Sequence, residues 1–373
     1  MRTQKNVIRD RLAKVSMETE RTGEIRVVQG RCETMCPVAE MRLREREGLL
    51  HPFEIIASED QTRRPKADPH KIVKSYSRPA AGRSGPSPAD IRHPSVLLKT
   101  VKYLFKKIVP QTDVDWVQVY DFVFDRLRAV RQDAVIQGLD GTVAITLFEH
   151  IVCFHVYAGY RLCDAAPEVF DPIINHQHLL ECLKRLLRLY SCTPGQHNNR
   201  HRFESLYLLH NLGSTESLHH GLNLPQSIKK TLTVSKALEL NWAYLNGNYV
   251  RFFRIALGLQ DVLCQCAIHR YFQQVRLHAL QVMSVAYSSK NCCYPLHSLE
   301  HQLCAERAAI IKLAQLCGIL DTSMHCVHNI QFQRDKFTLP TTSVSNCHQT
   351  QIDNKLEKLD IGDLLLGQGD EAT

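Results

Sequence analysis

The sequence lacks every common catalytic signature: no G-x-x-x-x-G-K-[ST] phosphate loop, no G-x-G-x-x-G, no H-E-x-x-H, no G-x-S-x-G and no H-x-E…P-C-x-x-C. Those absences argue against nucleotide hydrolysis, dinucleotide binding, zinc proteolysis, serine-esterase chemistry and base deamination. Nor is there a block of five or six consecutive like charges, the mark of an interaction tail. The most apolar stretch, Thr142 to Gly159, is interrupted by Glu149, His150 and His155, which argues against a membrane span. The first fourteen residues carry five basic side chains and no apolar run, so a secretory signal is not expected. The fourteen cysteines are therefore expected as reduced thiols in a cytosolic or nuclear protein.

What is present is globular composition: 373 residues, 44% hydrophobic and 23% charged, enough for a large core and two packed units. The formal net charge of +8 is spread thinly, though residues 57–95 carry a net +4 and residues 340–373 a net −4. A diffuse positive field permits contact with nucleic acid or acidic proteins without demanding it.

Along the chain, residues 1–56 read as a charged N-terminal helix (roughly 1–22) followed by a Cys-x-x-x-Cys-Pro motif and a second helix over 38–50. Pro37 is expected in the first turn of that helix. Residues 57–95 hold six prolines and Arg-Ser-Gly-Pro-Ser-Pro at 83–88, a linker or extended strap lying over another surface. Ser84 and Ser87 beside those prolines are phosphorylation candidates or plain loop residues.

From 96 to 287 the period is helical. Leu179, Leu180, Leu183, Leu186, Leu187 and Tyr190 make one face, with Lys184, Arg185 and Arg188 opposite. Breaks at Gly138, Gly159, Pro194-Gly195, Gly221 and Gly247 predict stacked antiparallel pairs. There is no strict repeat. Residues 288–340 read as helix, turn, helix, then strands over 326–332 and 336–339, the outline of a winged helix. The polar tail 341–373 is expected to be flexible. The fold class is thus mostly all-α, a superhelix of paired helices with a C-terminal winged helix and small hairpin.

Several segments together resemble the Sac-three/GANP family of eukaryotic mRNA-export scaffolds. They are Gly30-Arg-Cys-Glu-Thr-Met-Cys-Pro37 with Glu40 and Arg44, Leu50-His-Pro-Phe-Glu54, Val73-Lys-Ser-Tyr-Ser-Arg-Pro-Ala-Ala-Gly82 and Ile91-Arg-His-Pro-Ser-Val-Leu97. Tyr120 to Asp133, Phe154-His155, Gly247-Asn-Tyr-Val-Arg-Phe-Phe253 and His269-Arg-Tyr-Phe272 before Arg276 continue the series in the family's order. The resemblance implies a PCI-type superhelix that binds a second PCI-type subunit and a small acidic subunit, with RNA contact through the winged helix. Compared with the large members, neither phenylalanine-glycine repeats nor a long C-terminal anchoring region is expected. The chain is similar to a short animal branch associated with centrosome duplication and the mitotic spindle, which implies residence in the cytoplasm at the centrosome and spindle, with the nucleus as the alternative.

Gly30, Cys32, Met35, Cys36, Pro37, Glu40, Arg44, Arg126, Arg128, Arg131 and Asp133 are read as structural motif residues. Cys32 and Cys36 could supply two zinc thiolates, but no second Cys/His pair is matched to them, and packing is favoured. The same holds for Cys264, Cys266 and His269 on one helix. Met35 is expected as an apolar plug. Asp125, Arg126, Arg128, Arg131 and Asp133 form a charge group in which guanidinium neighbours hold the carboxylates ionised, so a locking network is favoured over acid/base or metal chemistry. Arg251, Phe252, Phe253 and Arg254 could stack on RNA bases or could put the phenylalanines into a helix interface, the preferred reading. Arg307, Lys312, Arg334 and Lys336 are candidate phosphate or partner contacts, in a segment whose basic surplus is only one. The reading is therefore a non-enzymatic scaffold without cofactor, membrane or metal, binding protein partners and, weakly, RNA.

Overall fold

Two long helices show how the elements form. Asp115 accepts a hydrogen bond from Val117 N and so caps α3, Trp116–Ile136, while Asp171 accepts from Ile173 N and Ile174 N ahead of Pro172 at the start of α5, Pro172–Cys192. The predicted face of α5 is the buried one: Leu179, Leu183, Leu186, Leu187 and Tyr190 all lie in the core, joined by Cys182. The computed structural model describes residues 28–56, 64–78, 87–289, 291–321, 328–340 and 346–368. The expected helix over 1–22 and the Ser84 site lie outside these residues.

The fold is all-α and superhelical. The helices in chain order begin with α1 (Val38–Glu47), α2 (Pro94–Tyr103), a π-helical turn (Leu104–Ile108), α3, α4 (Gly141–Arg161) and α5. Then come α6 (Arg200–His210), α7 (Thr215–Leu222), α8 (Gln226–Lys229), α9 (Leu232–Leu245), α10 (Tyr249–Leu257), α11 (Val262–His269) and α12 (Phe272–Ala286). The end module holds β1 (Tyr294–Pro295), α13 (Leu296–Leu303), α14 (Arg307–Leu316) and β2 (Asn329–Ile330). Finally, α15 (Thr350–Leu356) and α16 (Ile361–Leu365) close the described chain. One hydrophobic cluster runs from Met35 to Leu366, so these elements share a core.

Helix α4 sits at the centre, packed on α5 and α11. By length and composition it could cross a membrane, but 72% of its most apolar stretch is buried inside the fold, as a core helix requires.

Four expectations need correction. Gly159 and Gly221 are not breaks; they lie within α4 and α7, where a Cβ would stand 3.3 Å from Asn175 Nδ2 and 2.7 Å from a Leu208 methyl. Here glycine serves close approach between helices. Pro37 is the N-cap of α1 and not a first-turn residue. Nor, among the described residues, do 328–332 and 336–339 pair as a hairpin; the start of the first expected strand, 326–327, lies outside them. Instead β2 pairs antiparallel with β1, Tyr294 opposite Ile330, and Thr338 N donates to Cys317 O to close over the end of α14. The wing is thus built across the module, from strands on either side of its two helices. The last correction concerns the tail: 346–368 is packed, with Ile352 and Leu365 fully buried and Gln349 accepting from Arg276. Its sparse apolar residues fall at the spacing that docks two short helices.

The charge clamp and the candidate docking surface

Segments 28–56, 64–78 and 87–93 wrap α3 and are held there by buried charge. Gly30 N donates to Gln137 Oε1 at 3.0 Å, and a Cβ on Gly30 would stand 2.6 Å from the carbonyl oxygens of both Ile91 and Arg92. Only glycine lets the strands meet this closely. Cys32 N then donates to Ile91 O, and His93 N to Cys32 O, a short parallel bridge.

Glu54, fully buried, is the first hub. Its Oε1 accepts from Val73 N (3.0 Å) and from Arg126 Nη2 (3.2 Å), and its Oε2 accepts from His51 N (3.1 Å) and from Arg44. Arg44 also donates to Val73 O at 3.0 Å and lies 3.7 Å from Glu40, which in turn accepts from Ser75 N and Ser75 Oγ. Arg126 pairs with Asp125 as well, and its guanidinium lies 4.5 Å from the Phe122 ring centre.

Asp133 is the second hub. Its carboxylate accepts from Arg92 Nε and Lys74 Nζ, both at 2.7 Å, and from Arg92 N at 3.3 Å. Gln137 ties the same place down by donating to Arg92 O and Asp133 O. Arg128 stacks on Tyr76, 3.9 Å from the ring centre, and Arg131 reaches across to α5, donating to Glu181 at 2.8 Å and meeting His178. The charge group of α3 is therefore divided between two hubs and an interhelical link, and the two buried carboxylates, Glu54 and Asp133, each accept from several donors.

Both motif thiols are buried. Cys32 Sγ donates to Thr34 O and Cys36 Sγ to Pro37 O. Burial, with the Glu40 charge added, pushes the Cys36 thiol up to about 12. Met35 is buried in the main core with Val73, in the plug position. Cys264, Cys266 and His269 are all buried on α11, where His269 meets Cys347 O at 2.9 Å.

Phe252 and Phe253 have no exposed surface. They pack edge to face with each other and with Phe272, which corrects the stacking reading: neither ring can reach a base. Arg276 lies 5.3 Å from the centre of Phe253 and 5.5 Å from that of Phe272, and donates to Leu303 O, Cys304 O and Gln349 Oε1. Burial draws its guanidinium down to about 10. Arg251 and Arg254 stay exposed, Arg251 lying 3.6 Å from Glu239.

On the end module Arg307 is exposed but tied to Glu300 at 2.5 Å. Lys312, Arg334 and Lys336 are exposed and make no side-chain ion pair among the described residues. Leu316 and Leu339 are exposed in the same module. A cleft of about 580 Å³ runs between α14 and the 346–350 segment, lined by Lys312, Leu316, Arg276 and His348 among others.

Sequence reasoning named Arg44, Arg126 and Asp133 but missed the first hub itself and the partners of the second. Glu54, Lys74 and Arg92 stand inside the quoted family segments but carried no assigned role, and Gln137 and Gln349 carried no signal at all.

A sequence model described as the SAC3/GANP family matches residues 35–322. Protein xmas of Drosophila melanogaster is 30% identical over 280 residues, 70% of this chain and 13% of that protein. SAC3 family protein 1 of Schizosaccharomyces pombe is 28% identical over 298 residues, covering 74% and 28%. SAC3 family protein B of Arabidopsis thaliana is 28% identical over 271 residues, covering 68% and 15%. The chain thus corresponds to between 13% and 28% of the length of these relatives. With the family model spanning both hubs of the clamp, all the α3–α12 helices and the first helices of the end module, the chain belongs to the SAC3/GANP family.

Proposed function

We propose that the chain is a non-enzymatic scaffold of the mRNA-export type, whose end module docks a second PCI-type subunit and a small acidic subunit and touches RNA only weakly. The observation that carries this reading is the exposed set Lys312, Arg334 and Lys336, free of ion pairs among the described residues, in a module that also exposes Leu316 and Leu339. Cations flanked by apolar side chains suit an acidic protein partner better than a bare phosphate backbone. The clamp supports the same reading from the other side, because Glu54 and Asp133 are fully buried and saturated with donors, as structural carboxylates are.

Three phosphate contacts would give RNA affinity a salt slope of only about −2 on a log–log plot. The test is affinity purification of the tagged chain with mass spectrometry, at low and high salt, beside a Lys312→Glu/Arg334→Glu/Lys336→Glu variant. Recovery of a PCI-type subunit and a small acidic chain by the unaltered protein, and their loss from the variant, is the expected result. Equal recovery by both would overturn the assignment of this surface. In a gel-retardation assay on single-stranded RNA, a slope much steeper than −2, abolished by the same variant, would favour an RNA reader instead.

The cellular place belongs to the same proposal. Association with the centrosome and spindle would use this docking surface with other partners. Imaging of a tagged chain through the cell cycle decides between that place and the nucleus.

A further inference from the structure

Away from the docking surface, the turn that ends α4 meets the segment that leads into α15. The Cys163 thiol, an Asp164 carboxylate oxygen and a His348 ring nitrogen all lie within 4.8 Å of one another. From this geometry we infer a zinc site held by Cys163 Sγ, Asp164 and His348 Nε2, with water in the fourth position.

The hydrogen bonds around His348 carry the argument. Its Nδ1 lies 3.3 Å from Asp353 Oδ1, and its Nε2 lies 3.5 Å from Asp164 Oδ1. In the neutral ring with Nδ1–H donated to Asp353, the Nε2 lone pair is left for the side facing Asp164, and the Cys163 thiol belongs to the same cluster. A cation among the three would take an electron pair from each. The Asp353–His348 pair is the carboxylate–histidine arrangement that fixes the tautomer and ring orientation of a metal-bound imidazole.

That arrangement is itself held. The Tyr160 hydroxyl donates to Asp353 Oδ1 at 2.7 Å and accepts from Gln349 N at 3.0 Å, and the Tyr160 ring stands edge-on to His348 with centres 5.2 Å apart. Gln349, next in the chain, is pinned by Arg276 and by Cys304 O. His348 is thus fixed before any metal arrives, while the exposed Asp164 side chain is free to close in. Tetrahedral zinc needs donor atoms about 3.5 Å apart, a contraction of at most about 1.3 Å from spacings that all lie within 4.8 Å. The neighbouring Cys347 thiol is not part of that close set and accepts from Gln273 Nε2 at 3.5 Å, so the fourth position is assigned to water.

A sulfur, an imidazole and one carboxylate suit zinc, whereas magnesium and calcium ask for oxygen donors throughout. On binding, Cys163–SH forms the Zn–S bond and its proton leaves to solvent. The metal would fasten α15 and α16 to the end of α4.

The test uses the whole chain and the metals alone. Cobalt(II) titration should give one equivalent with a thiolate-to-metal charge-transfer band that zinc abolishes, and zinc should raise the melting temperature. Cys163→Ser and His348→Gln should remove both effects while melting near the unaltered protein in chelator. Asp353→Asn should weaken metal binding by ~10–100-fold. A band that persists in Cys163→Ser, or that never forms in the unaltered chain, overturns the site. So does a Cys163→Ser chain that keeps the zinc-induced rise, since zinc would then be held by other residues.

Discussion

At the scale of single residues, the clamp is where one side chain decides most. Asp133 has no exposed surface and holds both Arg92 and Lys74, so removing its charge leaves Arg92 buried without a counter-ion. Breaking one partner of a buried pair typically costs ~3–5 kcal/mol, more than the pair itself contributes, because the desolvation of the survivor is no longer offset. Asp133→Asn is expected to lower stability by an amount of that order in urea titration, and Asp121→Asn on the exposed face of α3 to change it little. Equal effects would mean that the strap is not held through Asp133. The helix carrying Asp133 was legible in the sequence, and so was the tendency of its charges to lock together. The partners were not. Glu54 and Arg126 are separated by 72 positions and Lys74 and Asp133 by 59, and no local period records which buried acid meets which distant base.

At the scale of elements, legibility followed the size of the apolar face. The α5 face was read correctly because a long helix packed on one side repeats its apolar residues every three or four positions. The docked tail was misread for the opposite reason: α15 and α16 have seven and five residues, too few for a period to stand out from polar surroundings. Such short helices owe their order to what they are packed against. Leu365, fully buried, belongs to the same core as Phe105 and Phe154, and Lys106 fastens the element by pairing with Asp360 and Asp363. Leu365→Ala should therefore cost ~2–5 kcal/mol as a core truncation, whereas Lys106→Ala, which removes only solvent-exposed ion pairs, should change stability far less. The check is urea unfolding combined with proteolysis, which should cut the C-terminal segment of Leu365→Ala early. A neutral Leu365→Ala would mean that the tail does not dock in solution.

At the scale of the whole molecule, the superhelix buries histidines between its helices, and this sets how it responds to acid. Burial draws His155 down to about 3, against a favourable bond to Asn175 and with Arg131 and His178 adding to the depression. Burial likewise lowers His150 and His269 to about 4, and holds His210, beside Arg270 and His176, well below its ordinary value. In the unfolded chain each regains a value near 6.5. Between about pH 6.5 and pH 4 the unfolded state therefore binds more protons than the folded one, so stability is full above pH 6.5 and is lost as the pH falls through that window. Each such histidine contributes up to about 1.4 kcal/mol per pH unit to the slope. Urea titrations at pH 7.0, 6.0 and 5.0, run in chelator to keep metal out of the comparison, should show a steadily falling midpoint. His155→Gln, which keeps a partner for Asn175, should flatten the slope by about one histidine's share whatever it does to stability at pH 7. The slope isolates the titration from the packing. A midpoint that stays level from pH 7 to pH 5 would mean that these rings are hydrated and charged in the folded chain, and hence that the helices around α4 do not close as tightly as described.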